Sequence, residues 1–97
     1  MKKKIDIQAF RDFLKKSNNN FSVEREALFN VMLSMKGCYS AEEFFKTAHR
    51  KNAVHDKTTV YRVLPLFMEA GFIKVTILPN GRKQYETMHE HIVRRQK

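Results

Sequence analysis

Residues 86–91 read ETMHEH and set one carboxylate and two imidazoles, Glu86, His89 and His91, within six positions. Neutral imidazole and carboxylate suit zinc or iron(II). His89 and His91 are two apart, so an extended backbone puts them on one side. The plainer reading is a solvated, His-rich segment, because ligand clusters without identifiable partners to orient the imidazoles often hold nothing. His49 and His55 have no such spacing and are expected at the surface. Cys38 is the single cysteine, which excludes an internal disulfide and suits a reducing compartment. By itself it reads as a small buried hydrophobe.

A second constellation lies upstream, in DKTTVYRVLPLFMEA, residues 56–70. Val60, Val63, Leu64 and Phe67 recur at helical spacing and predict a core stripe. The opposite side of the first two turns presents Lys57, Thr58, Thr59, Tyr61 and Arg62. Arg62 can bond guanine O6 and N7 bidentately or hold a phosphate, and Tyr61 can meet a thymine methyl. The two threonine hydroxyls, with the helix N-terminus, suit phosphate oxygens. Pro65 removes one helical hydrogen bond, so a kink is expected after Leu64 and the reading part before it. The alternative is an ordinary amphipathic helix with a solvated polar face. Arg82 and Lys83, beside Asn80 and Gly81, add positive charge at the tip of what reads as a hairpin.

These residues need elements to hold them. Ile5, Ala9, Phe10, Phe13 and Leu14 predict an amphipathic helix over 5–16. KSNNNFS breaks it, and Ser22 is placed to cap a second helix. Ala27, Leu28, Val31, Met32 and Met35 predict that helix's apolar stripe, with Gly37 as its stop. Ser40 stands three residues before Glu43, a capping box, and opens a third helix over about 41–51 with Ala41, Phe44, Phe45 and Ala48 inward. Asp56 caps the fourth helix, which Gly71 ends. From Phe72 the apolar period falls from 3.6 to 2, PNGR turns the chain, and KQYET returns as a second strand. Two helices across a short turn, then a basic hairpin, predict an α+β winged helix-turn-helix: three to four helices followed by a two-stranded β-hairpin wing.

Composition supports that reading. Apolar residues make up 42% of the 97 and aromatics 11%, enough for one core and one domain. Lys and Arg outnumber Asp and Glu by 19 to 10, a net charge of +9 that favours a polyanionic partner. Double-stranded DNA leads and an anionic membrane surface follows. No apolar run approaches the roughly 20 residues of a membrane span, and MKKKIDIQAF is charged where a signal peptide is apolar. A soluble cytoplasmic protein without membrane association is expected. Lys2, Lys3, Lys4, Lys15 and Lys16 read as a solvated terminal region. No nucleophile–base pair, Gly-rich phosphate loop or carboxylate dyad marks an enzyme.

The stretch SAEEFFKTAHRKNAVHDKTTVYRVLPLFMEAGFIKV resembles the DNA-binding domain of the ferric uptake regulator family of bacterial metal- and peroxide-responsive repressors. SAEEFF, TTVYRVL, EAGFI and the YE…HEH after the wing occur in the family's order, over about residues 22–92. The resemblance implies a DNA-binding transcriptional regulator with Tyr61 and Arg62 as the matched major-groove pair. It also implies a regulatory zinc or iron site. Glu86, His89 and His91 match three of its ligand positions, and Cys38 stands where the family has a histidine before the third helix. A thiolate there would shift preference toward zinc or copper(I). Members add a C-terminal dimerisation domain with a Cys-x-x-Cys zinc motif, which has no counterpart before IVRRQK. The organisation expected is therefore one winged-helix domain over 1–97: N-terminal helix and turn 1–21, family-like core 22–91, basic tail 92–97, and no dimerisation domain. The partner expected is a palindromic AT-rich operator, read with the 56–64 helix and the 79–83 wing by a homodimer. The competing expectation is a shortened interaction module that forms a heteromer with a full-length relative and modulates it without strong DNA binding of its own.

Overall fold

The computed structural model describes residues 2–88 and 90–92, with side chains from Lys4 to Met88. The order is β1 (Lys2–Lys4), α1 (Ile7–Lys16), α2 (Val23–Ser34), β2 (Cys38–Tyr39), α3 (Ala41–Arg50), α4 (Lys57–Glu69), β3 (Ile73–Ile77), β4 (Lys83–Thr87) and β5 (Glu90–Ile92). The basic tail expected over 92–97 lies outside the described residues after Ile92.

Each helix starts where a short polar side chain can take an orphan N–H. Asp6, Ser22, Ser40 and Asp56 accept from the backbone of Ala9, Arg25, Glu43 and Thr59, and Ser40 with Glu43 completes the capping box. Asn18 and Asn52 take φ values of 58° and 59° at the ends of α1 and α3, a left-handed conformation that asparagine tolerates. At the end of α4, Gly71 adopts φ 81°, its N–H bonds Met68 and that of Phe72 bonds Phe67, a Schellman closure.

Three expectations change. The first helix begins at Ile7, because Asp6 caps it and Ile5 stays outside yet buried. The second ends at Ser34 rather than near Gly37, since Met35 turns extended (φ −74°, ψ 133°) and leads the chain toward β2. Lys2–Lys4 do not form a free terminus: β1 pairs antiparallel with β5, Lys3 opposite His91.

The wing is larger than a hairpin. β2 joins it, giving a three-stranded antiparallel sheet in the order β2-β4-β3. The hairpin turn is a three-residue loop, Pro79 to Gly81. The Gly81 N–H bonds Leu78, the Leu78 N–H bonds Arg82, and Gly81 takes φ 84°. Pro79 fixes the first turn residue and glycine supplies the positive φ.

The core lies between the helices and the inner face of this sheet. Phe10, Phe29, Phe67 and Phe72 interlock, Phe10 stacked on Phe29 at 5.0 Å and edge-on to Phe67 at 5.4 Å, so α1, α2, α4 and the start of β3 share one aromatic centre. Val60, Val63 and Leu64 complete the buried stripe of α4. The sheet is tied in through Thr87. Its hydroxyl donates to the Met32 carbonyl at 2.8 Å, so the Tyr39 hydroxyl 2.6 Å away must be the donor of that second bond. With Val60, Val63, Leu64 and Phe67 inward, α4 turns Tyr61 and Arg62 out to solvent.

Candidate nucleic-acid interface

α4 is exposed along its first turns because its apolar residues recur on one side only. Tyr61, 55% exposed, lines an open cleft of ≈ 680 Å³ with Ser40 to Glu42 of the α3 start and with Gly81, Arg82, Lys83 and Tyr85 of the wing. Three of the sequence-predicted contact residues, Tyr61, Arg82 and Lys83, are thereby gathered on one surface. Burial raises the Tyr85 phenol above its ordinary 10.0, so it stays protonated beside the lysine and arginine.

Arg62 faces elsewhere. One residue is about 100° of helix, and this turns Arg62 to a narrower cleft of ≈ 140 Å³ lined by Ser22, Glu24, Arg25, Thr59 and Val63. The Arg25 guanidinium is anchored on the Asn20 carbonyl, and Arg25 and Arg62 line this cleft together. Sequence reasoning missed Arg25: it is an ordinary helix residue until the fold lays the start of α2 against α4.

The remaining predicted residues are placed less freely. Lys57 Nζ lies 3.1 Å from Glu42 Oε1 and 5.7 Å from the centre of the Phe45 ring, so its charge is shared before any ligand arrives. The Thr59 hydroxyl donates to Asp56 Oδ1 at 3.4 Å inside the N-cap. Thr58 is exposed. His49 packs beside Phe45 at 5.5 Å between ring centres, and both His49 and His55 are exposed, as expected of surface residues.

Only part of the ETMHEH cluster lies within the described side chains. Glu86 sits on β4 with Cys38 of β2 directly opposite it and Lys74 of β3 on its other side. Partners across antiparallel strands have Cβ atoms about 4.5–5.5 Å apart on the same face, so Cys38 and Glu86 are brought together on the outer side of the sheet. Cys38 is exposed, not a buried hydrophobe. Lys74 Nζ is 3.5 Å from the Glu86 carboxylate and competes with any cation. His91 follows on β5, its backbone opposite Lys3, while His89 lies outside the described residues. Among the described residues, no group of three or more His, Cys, Asp or Glu is arranged to hold a metal ion. Among the described side chains the fold brings together one thiol and one carboxylate of the candidate set, Cys38 and Glu86, on adjacent strands.

No helix among the described residues is long and apolar enough to cross a membrane. No curated protein matches the sequence significantly. Solved structures do match the fold. The ferric uptake regulator of Helicobacter pylori, described as having three functional metal-binding sites, superposes with a TM-score of 0.74 at 23% identity over 90% of this chain and 61% of its own. PerR from Streptococcus pyogenes, described in terms of peroxide sensing and gene regulation, gives 0.71 at 18% identity over 91% and 61%. The Vibrio cholerae ferric uptake regulator gives 0.62 at 26% identity over 77% and 58%. The chain thus spans about 60% of the length of these relatives. A sequence profile of the Ferric uptake regulator family matches residues 16–96. On this match, and with the winged helix built as described, the chain belongs to the Ferric uptake regulator family.

Proposed function

We propose that this chain is a DNA-binding transcriptional regulator module, one winged-helix domain over 1–97. It reads base edges in the major groove with Tyr61 and Arg62 of α4 and holds phosphates with Lys57, Thr58, Thr59, Arg82 and Lys83. The observation that carries this reading is the position of α4: its exposed first turns stand between a basic wing cleft and the Arg25 cleft. A helix flanked this way can enter a groove while each side meets a different phosphate strand. The net charge of +9 supplies the counterion-release term that brings such a module to DNA. A single module of this kind buries little surface, so two copies on a palindromic AT-rich site are the binding unit.

The same reading includes metal control. Cys38 and Glu86 supply thiolate and carboxylate on adjacent strands, and His89 and His91 follow them in sequence toward the end of the wing. Zinc, which accepts mixed sulphur, nitrogen and oxygen ligands in a tetrahedron, suits that set better than iron(II) does. The relatives are named for ferric and manganese uptake and for peroxide sensing, and metal-linked regulation is the matching role here.

The test is a titration of the chain onto a palindromic AT-rich duplex and a GC-rich duplex of equal length, with and without zinc, iron(II) and manganese. Preferential binding of the palindrome, strengthened by a metal, agrees with the proposal. Equal binding of both duplexes at every salt concentration contradicts the reading role of α4.

A further inference from the structure

β3 is an edge. Ile73–Ile77 pairs with β4 on one side, and no described strand pairs with it on the other. Ladder bonds alternate along an antiparallel pair. At the two ends of this pair, Leu78 bonds Arg82 and the Met88 N–H bonds Phe72. By alternation Lys74 and Thr76 also bond β4, and Ile73, Val75 and Ile77 turn their N–H and C=O groups to the open side. Their side chains lie on the inner face of the sheet, where Val75 is 37% and Ile77 66% exposed. Among the described residues no strand covers this edge, the strand IKVTI holds no proline, and its one lysine is paired with Glu86 on the outer face.

We propose that this edge is a pairing surface for β3 of a second copy of the chain. The two sheets would join into one six-stranded sheet around a two-fold axis at Val75. The sequence of the strand chooses the occupant. Antiparallel pairing centred on Val75 sets Ile73 opposite Ile77 of the second copy and Val75 opposite Val75, satisfying every outward N–H and C=O of the three residues. Lys74 then faces Thr76, so no like charges meet. A shift by one step in one direction puts Lys74 opposite Lys74, and in the other puts Ile73 opposite Pro79, which has no N–H. Directly opposed like charges destabilise a pair, and a missing donor leaves a carbonyl unpaired. One register is therefore self-complementary. A five-residue edge lies below the roughly 1,200 Å² of a standard interface, so the pairing alone is weak and depends on concentration.

The experiment uses the full chain with Cys38→Ser and a single new cysteine on β3. In the proposed register only position 75 faces itself. Val75→Cys therefore forms an intermolecular disulfide about tenfold faster than Ile77→Cys, because pairing raises its effective concentration, although Ile77 is the more exposed position. Rates that follow exposure, with Ile77→Cys ahead, overturn the proposal, as does faster linking at Lys74→Cys or Thr76→Cys. Sedimentation of the unmodified chain at raised ionic strength gives the second reading. Mass that grows with concentration and is reduced by Val75→Pro, which removes an edge N–H that β4 does not use, agrees with pairing. A chain that stays monomeric over the whole range leaves the edge to some other strand and overturns it, and so does self-association indifferent to Val75→Pro. Failure of either experiment leaves the DNA-reading role of α4 untouched.

Discussion

Tyr61 and Arg62 are consecutive residues of α4 that face different clefts, Tyr61 beneath the wing with Arg82 and Lys83, Arg62 at the start of α2 with Ser22 and Arg25. Their neighbours differ. Tyr61 has bare surface and a wing beside it, whereas Arg62 shares its cleft with the anchored Arg25 guanidinium and with Glu24; on the proposed reading the two arginines hold a phosphate there.

Arg25→Gln is expected to weaken DNA binding almost equally for all sequences. The slope of log affinity against log salt should fall by about one, the signature of one lost phosphate contact. Salt titrations on matched and mismatched duplexes check this. An unchanged slope would place Arg25 off the DNA.

Tyr61→Ala is expected to act on sequence preference, with a cost of about 1–3 kcal/mol on the preferred site and little on others. Because Tyr61 is 55% exposed and outside the aromatic core, the melting temperature should stay close to that of the parent. A large loss of stability would contradict its placement on the reading face.

The Tyr39–Thr87–Met32 chain of hydrogen bonds predicts an ordered pair of stability losses. Thr87→Val leaves the buried Tyr39 hydroxyl without a partner and should cost about 1–3 kcal/mol. Tyr39→Phe removes the donor but leaves Thr87 bonded to Met32, at about 1 kcal/mol. The double variant should lose less than the sum. Denaturant midpoints decide, and equal losses would mean the hydroxyl is not held as described. The same tyrosine gives a pH dependence. Burial, reinforced by the Glu86 charge, raises its folded-state pKa above the ordinary 10.0. Above pH 10 the unfolded chain releases this proton while the folded chain keeps it, so stability present below pH 10 is lost as pH rises through the folded value. That alkaline loss should be smaller in Tyr39→Phe.

Much of this fold is legible in the sequence because its signals are local. Ser22, Ser40 and Asp56 announce helix starts, Gly71 announces an end, and the change of period after it announces strands. Each works within a few residues of itself. The features that escape are those set by register between distant segments. Cys38 meets Glu86 only because β2 pairs with β4, Arg25 meets Arg62 only because α2 packs along α4, and Lys2–Lys4 find a strand partner in Glu90–Ile92. Nothing in spacing along the chain encodes these encounters. The candidate metal set shows the consequence: its chemistry is readable from ETMHEH and Cys38, while the Lys74 ammonium beside Glu86 is not.

That ammonium makes a prediction. Lys74→Ala removes a positive charge 3.5 Å from a proposed ligand and should raise zinc affinity by roughly two- to tenfold. Cys38→Ser and Glu86→Gln should lower it. Competition with a chromophoric chelator measures all three, and affinities indifferent to every one of them would remove the sheet face from the metal site.

The reading of α4 as the element that recognises DNA is tested most directly by selecting binding sites from a randomised duplex pool with the parent chain and with Arg62→Ala. The parent should enrich a palindromic AT-rich sequence. Arg62→Ala should relax the preference at one position in each half-site, by about 1–3 kcal/mol. Failure of the parent to enrich any sequence, or the same preference and salt slope in Arg62→Ala, would contradict it.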